Sequence, residues 1–322
     1  ITKPYAQSME NLSTVRDGDK GTLGLGYNQV VVTATELGDE NPSILANSLF
    51  SKKANPDVTS TDVAIDILNK ITEVYGNQGV RTQDRYFDNK HFYRYFIAHN
   101  QSFVTRVKVN RKLLRVNSSG KVLPGKVSIL TLAKNCRTPH KFLTKIWENG
   151  KWQERKQVRI GSRKVFLPCI NRIVTLVVIK GFGTKPMMLL TNIDVNPRNE
   201  TDVLKIYRIY RARWKCEEWI RYIKTEYNLE DIRALNWLSI KNIVSFVNFA
   251  VTFIVRRLGY SPQLRISREK IKRISKPIYF EKAKMTLYML SSVIKEVLKN
   301  ISAKFRELRK EMESDIQLEL DL

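Results

Sequence analysis

Carboxylates are scarce in this chain, and cysteine, histidine and long apolar runs are scarcer. The 322 residues hold 31 Asp and Glu against 56 Lys and Arg, a formal net charge of +25. An excess of that size asks for a polyanionic partner, either nucleic acid or an anionic membrane surface. The cysteines are Cys136, Cys169 and Cys216. No two form a CxxC pair, and His91, His99 and His140 do not space with them as zinc ligands. A disulfide framework and a zinc site are thereby set aside in favour of reduced, buried thiols. The longest apolar stretch, Ile243 to Val255, is too short to span a bilayer and contains Ser245 and Asn248, so a buried helix is expected there. No charged-then-apolar signal opens the chain. GTLGLG at 21–26 lacks the strand–loop–helix context of a dinucleotide site, and neither GxxxxGK[ST] nor GxSxG is present.

What is present is 43% hydrophobic residues, enough for a packed core, and a length that suits two domains or one large domain with an insertion. A short helix is expected around Ala6 to Val15, a turn at Arg16 to Asp19, and a β-branched strand at Tyr27 to Thr35 (YNQVVVTAT). Residues 36–60 read as a connection. Apolar spacing at Val63, Ile67, Leu68 and Ile71 predicts a helix over Asp62 to Tyr75, with Thr61-Asp62 as its cap. An extended segment, Val80 to Tyr86, carries Asp84. A helix at Asn89 to His99 and a strand at Ser102 to Val109 follow. Between about 110 and 190 helical periodicity gives way to alternating strands, with Glu148-Asn149-Gly150 as a hairpin turn between Trp147 and Trp152. From Asp202 the chain reads as helical: Asp202 to Glu226, Lys241 to Leu258 and Phe280 to Met312. The last carries an amphipathic stripe, and a basic, proline-bracketed linker precedes it.

Residues 210–224 (YRARWKCEEWIRYIK) concentrate the chemistry. At ~100° per residue, Tyr210, Arg213, Glu217 and Lys224 share an arc of one helix face. Ile209, Cys216, Ile220, Ile223 and Tyr227 form an apolar stripe beside it. A carboxylate flanked by cations next to an anchoring stripe suits a metal-bound carboxylate among phosphate-gripping groups. A solvated helix with an Arg213–Glu217 ion pair at i,i+4 fits the same spacing. Glu218 points about 100° away from Glu217, so the two glutamates are not interchangeable.

The spacing Tyr210-(2)-Arg213-(3)-Glu217-(6)-Lys224 matches every position of the Y-(2)-R-(3)-E-(6)-K motif. On it the chain resembles one large group of bacterial insertion-sequence DDE transposases. Ile209 and Trp214 resemble the usual neighbours of that motif. Asp84-Arg85, in VRTQDRYFD, resembles the D-R element that holds the family's second catalytic aspartate, with Asp88 as its local rival. Ile1, Lys3-Pro4, Arg16-Asp17-Gly18 and Gly26-Tyr27 resemble the stretch that follows the first catalytic aspartate. That residue is therefore expected upstream of Ile1, the sequence is expected to be a fragment that cannot cleave DNA as written, and Asp17, in a turn, is not its substitute.

The resemblance implies a fold class of α/β: a ribonuclease-H-like mixed sheet with flanking helices, a β-rich insertion and a C-terminal helical region. The expected divisions are 1–109 (first part of the core), 110–190 (insertion and returning strand), 191–260 (second part, with the motif helix) and 261–322 (basic linker and C-terminal helix). It also implies Asp84 and Glu217 as catalytic carboxylates holding Mg²⁺, or Mn²⁺ in its place, and Tyr210, Arg213 and Lys224 as DNA-binding residues. The implied partners are double-stranded DNA, both inverted repeats and target, and a second copy of the chain; no membrane is implied, and the location is the bacterial cytoplasm at the nucleoid. Trp147 and Trp152 fit either cross-strand packing or stacking on a flipped base. A non-catalytic DNA-binding protein of the same fold, and a basic RNA-binding protein, are the alternative readings.

Overall fold

The computed structural model describes residues 1–3, 6, 8–16, 21–38, 42–148, 151–253 and 256. The chain forms two compact units. One comprises residues 1–27, 41–44 and the described residues from 218 on, and the other residues 28–40 and 45–217.

The larger unit opens with β3 (Asn28–Ala34), preceded in the chain by β1 (Ser13–Arg16) and β2 (Leu23–Gly26) of the smaller unit. β3 pairs with β4 (Ser43–Phe50), whose first residues belong to the smaller unit. α1 (Ser60–Tyr75) starts at Thr59, whose hydroxyl accepts from the Asp62 amide while the Asp62 carboxylate accepts from the Thr59 amide. This is a capping box, so Asp62 serves three residues inside the helix rather than as its cap. β5 (Val80–Gln83) leads to α2 (Lys90–Ala98), capped by the Asn89 side chain, and then β6 (Ser102–Arg106). β7 (Lys112–Val116), β8 (Val122–Ser128), α3 (Ile129–Lys134), β9 (His140–Glu148), β10 (Lys151–Leu167), β11 (Arg172–Lys180) and β12 (Met187–Thr191) complete an eight-stranded sheet. Its order is β5-β6-β12-β11-β10-β7-β8, with β9 also on β10. Only β5–β6 among these pairs is parallel.

The central strands are covered on both faces, so they read as unbroken apolar runs: six consecutive residues of β11 are buried. Side chains alternate across the pleat. Phe103, Leu176, Val178, Met188 and Leu190 enter one core with α1, α2 and α3. Val104, Val177, Ile179 and Leu189 enter a second core with Val203, Ile206, Ile209 and Tyr210 of α4 (Glu200–Ala212). The unit is therefore a layered α/β/α arrangement, as expected. The strands of the 110–190 block hydrogen-bond into the same sheet as β5 and β6. β9 ends at Glu148 opposite Lys151, the first residue of β10, and Trp147 lies opposite Trp152.

The smaller unit contains β1, β2, α5 from Glu218 on (the whole helix spans Trp214–Glu226) and α6 (Trp237–Phe253). Ser13–Arg16 is a strand, not part of a helix, because it pairs antiparallel with Leu23–Gly26. The Tyr27 ring packs at a tilt against Trp237, centroids 5.1 Å apart, and the Tyr27 hydroxyl donates to the Glu10 carbonyl at 2.7 Å. Ile240, Val244 and Val251 form the buried face of α6, while Phe246, Phe249 and Phe253 are exposed. No described helix is long and apolar enough to cross a membrane. The expected 262–277 linker, the 280–312 helix and Asp17 lie outside the described residues.

The helix expected to run unbroken from 202 to 226 is interrupted at Arg213, which ends α4 one residue before α5 begins. There is no proline or glycine at the break. Instead the amides of Arg213 and Cys216 donate to carbonyls three residues back, Tyr210 O at 3.1 Å and Arg213 O at 2.9 Å. That is a 3₁₀-type tightening. At three residues per turn it advances the chain by about 20° more per residue than an α-helix does.

Candidate active site

β5 is held in parallel register with β6, Gln83 facing Thr105. The Gln83 side chain is buried and donates to the Thr105 hydroxyl at 3.1 Å and to the Phe87 carbonyl at 3.2 Å. These two bonds tie the loop that follows β5 back onto the sheet. Asp84 therefore leaves the sheet at the carboxyl end of the strand, half-buried. Its Oδ1 accepts from the Tyr86 amide at 2.8 Å, and its Oδ2 has no partner among the described residues. Asp88 has a different environment. It is 3% exposed and accepts from the Tyr93 hydroxyl (2.7 Å), the Lys108 amide (2.8 Å) and Arg111 Nε (3.0 Å), and it also pairs with Arg111 Nη2. Burial and the neighbouring Asp88 charge push the Tyr93 phenol far above its ordinary value. Asp88 is a structural clamp, fully committed; Asp84 keeps an oxygen to offer.

At the α4–α5 joint, Tyr210 turns into the second core, 5% exposed, with its hydroxyl buried beside Arg213. The Arg213 guanidinium lies 5.5 Å from the Tyr210 ring centroid and pairs with Glu217 Oε1 at 2.8 Å. Burial alone would lower the Arg213 pKa, but Tyr210 and Glu217 outweigh it and hold the group charged. The Glu217 side chain keeps 38% of its surface exposed. The four motif residues thus do not form one polar arc. The 3₁₀ turn sends Tyr210 inward, while Arg213 and Glu217 make the i,i+4 ion pair that the spacing also allowed.

Cys216, which sequence patterning assigns only to an apolar stripe, is the common neighbour in this unit. Its thiol is pushed up, chiefly by burial. A hydrogen bond with Thr33 of β3 and the Arg213 charge pull it down, while the charges of both Glu217 and Asp84 add to the upward push. β3, the end of β5 and the first turn of α5 meet around that thiol.

Lys224, in the last turn of α5, belongs to the smaller unit. Its ammonium pairs with Glu230 Oε1 at 3.3 Å. The same carboxylate accepts from the Thr2 amide at 3.1 Å and the Thr2 hydroxyl at 3.2 Å. Lys3 is 4% exposed, and its amine donates to the backbone carbonyls of Glu230 and, at 2.9 Å, Ile232. Burial lowers the Lys3 pKa, and Glu230 and Asp231 act against that. This anchor joins residues more than 220 positions apart, so no local pattern announces it.

Hard divalent cations prefer oxygen donors, and the unpartnered oxygen of Asp84 and the exposed carboxylate of Glu217 are of that kind. Among the described residues, no group of three or more His, Cys, Asp or Glu side chains is assembled. The donor atoms these two residues carry are thus of the type an oxygen-liking ion takes, without an assembled group of three.

A mixed sheet with helices on both faces, and an acidic residue leaving the carboxyl end of a parallel strand, is consistent with a ribonuclease-H-like α/β fold. The family model described as the transposase DDE domain matches residues 19–253, and the chain belongs to that family. Its members act in DNA transposition and recombination, which makes DNA a partner, and they generally use a divalent metal. Comparison with curated proteins finds no match.

Proposed function

We propose that this chain belongs to the catalytic core of an insertion-sequence transposase that cuts DNA strands at the element's ends and joins them to target DNA, and that it supplies two of the carboxylates for that chemistry. In this reading Asp84 and Glu217 hold the divalent ions, and a homodimer brings two element ends together. The observation that carries it is the match of the transposase DDE domain over residues 19–253; Asp84 at the end of β5 and Glu217 in the first turn of α5 supply its oxygen donors, and the charges of both bear on the half-buried Cys216 thiol.

The chemistry that bound Mg²⁺ or Mn²⁺ supplies is activation of the attacking water or 3′-hydroxyl and stabilisation of the leaving oxygen. The residues around it divide the remaining work. Arg213 is a positioning residue: its mostly buried guanidinium fixes the Glu217 carboxylate through the 2.8 Å pair. Asp84 keeps Oδ2 available because its turn bond uses Oδ1. Tyr210, its ring centroid 5.5 Å from the Arg213 guanidinium, backs the Arg213–Glu217 pair from the core. Lys224, pinned by Glu230, offers a point charge to the DNA backbone.

Two measurements test the reading. In a Mn²⁺ titration followed by electron paramagnetic resonance, Asp84→Asn and Glu217→Gln should each weaken binding by about tenfold or more. In a strand-transfer assay with the natural protein and element-end DNA, both substitutions should remove product while duplex affinity stays within about twofold of wild type. Undiminished Mn²⁺ binding by both variants would overturn the assignment.

A further inference from the structure

Between Asp88 and Glu148 the sequence contains no aspartate or glutamate, while lysines and arginines recur throughout. The structure folds much of this acid-free stretch into the edge of the sheet remote from Asp84. β8 is the outer strand there, six strand spacings from β5, on the order of 30 Å along the sheet. Leu113 and Val116 of β7 are buried, whereas Lys112 and Arg115, and Lys121 and Lys126 on the β8 side, are exposed. Leu114 lies opposite Lys126, and Lys112 precedes Leu114 by two. The two amines therefore share one face as diagonal neighbours, roughly 7–8 Å apart at Cα.

They border a cleft of about 200 Å³ lined by Arg111, Lys112, Lys126, Leu167, Pro168 and Cys169. Arg94 reaches the rim, its Nε donating to the Cys169 carbonyl at 3.2 Å. The nearby carboxylate, Asp88, is spent on Arg111, Tyr93 and the Lys108 amide. Among the described residues, neither Lys112 nor Lys126 has a side-chain hydrogen bond or ion pair. Like charges held together without a counter-ion cost stability, and an anion in the cleft would offset that cost.

We propose that this β7–β8 edge, centred on the Arg111–Lys112–Lys126 cleft, is a second DNA-binding surface that grips the phosphate backbone of a duplex. The cations extend along the whole hairpin rather than converging on one point, which fits a chain of phosphates better than a single small anion. A five-residue strand such as β7 spans ~16 Å, about half a helical turn of DNA. The edge-to-edge span of the sheet approaches a full turn, so one duplex can touch this surface and still reach the Asp84 end. Lysines exposed on a strand contact phosphates without reading bases, so the surface contributes affinity and register rather than sequence choice.

The proposal rests on DNA being the ligand of the proposed function, and its test separates the two. A 30-base-pair duplex of arbitrary sequence is titrated across a range of salt concentrations with wild type, with Lys112→Gln/Lys126→Gln, and with Lys52→Gln/Lys53→Gln. The last pair removes equal charge from exposed positions elsewhere on the same unit. The cleft variant should weaken binding by about tenfold or more at 0.1 M salt and reduce the slope of log K against log salt by about 1.8. The control pair should leave both near wild type. In parallel, duplex should slow maleimide labelling of Cys169 in wild type, followed by peptide mass spectrometry, and fail to do so in the cleft variant. Equal losses for the two variants, or no protection of Cys169, would overturn the proposal while leaving the functional reading in place. Absence of salt-dependent duplex binding by wild type would remove both. Tighter binding of an RNA duplex of the same length would overturn the choice of DNA.

Discussion

Asp88→Asn and Asp84→Asn are the same chemical change four residues apart, and they should have opposite consequences. At Asp88, four donor contacts converge on two oxygens: the Tyr93 hydroxyl, the Lys108 amide, and Nε and Nη2 of Arg111. An asparagine keeps one acceptor oxygen and turns an NH₂ group toward the donors of the other. About half of the contacts are lost, and two of the four involve a charged partner, worth roughly 1.5–3 kcal/mol each. Arg111, with 17% of its side chain exposed, is left without its counter-charge. Breaking a buried pair from one side costs about 3–5 kcal/mol. For a unit of this size that lowers the melting temperature by roughly 10 °C. At Asp84 the single turn bond, from the Tyr86 amide to Oδ1, is kept by asparagine, so the stability change should stay within ~0.5 kcal/mol. Thermal unfolding of the two variants, read by circular dichroism, decides the matter. A comparable melting temperature for wild type and Asp88→Asn, or a large fall for Asp84→Asn, would refute the division of these aspartates into a clamp and a metal ligand.

Two further outcomes follow from individual contacts. A Cβ placed on Gly161 of β10 would lie 2.1 Å from the Arg137 carbonyl oxygen and 2.8 Å from Thr138 Cα, both backbone atoms that cannot rotate away. Gly161→Ala should therefore cost about 3 kcal/mol, seen as lost soluble yield or a lower unfolding midpoint; a wild-type midpoint would contradict the close approach. The Glu230 carboxyl is pushed up by burial, its largest single influence, but the Thr2 amide and Lys224 together hold it below its ordinary value. A depressed carboxyl stabilises the fold above the unfolded-state value of about 4.3, and that stabilisation is lost as pH falls through the folded value. Urea midpoints of wild type and Glu230→Gln should differ at pH 7 and converge near pH 3; a constant gap would show that the carboxylate charge is not involved.

The sequence is most readable where local physics and tertiary burial agree. β11 and β12 are apolar runs because helices cover both faces of the sheet, and α1 and α2 carry the apolar spacing of helices packed on one side. The expected turn at Asn149-Gly150 lies outside the described residues, but β9 and β10 pair antiparallel on either side of it. β4 was hidden in what read as a connection, since SILANSLF mixes small and polar residues and its pairing with β3 is what makes it a strand. The Ser13–Arg16 strand was hidden in the same way, being specified by its partner Leu23–Gly26. The break at Arg213 has no proline or glycine to announce it, so extrapolating one helical phase from Tyr210 to Lys224 misassigned Tyr210 to a polar face. The two carboxylates proposed to hold the metal, Asp84 and Glu217, were legible through the family resemblance. Cys216, Thr33 and the Lys3–Glu230–Lys224 anchor were not, because each depends on a contact made across the fold.

The outer strand of the sheet has one more consequence, for how the protein behaves in a crowded solution. Opposite the irregularity between Leu114 and Val116, β8 carries Pro124 and Gly125, the glycine at φ +88°. Proline has no amide hydrogen to give, and a left-handed residue bends the ladder away from a neighbour. With lysines on either side at positions 121 and 126, this rim makes a poor template for a stray strand. A protein built on so wide a sheet can thus be made in quantity without its copies zipping together along that side.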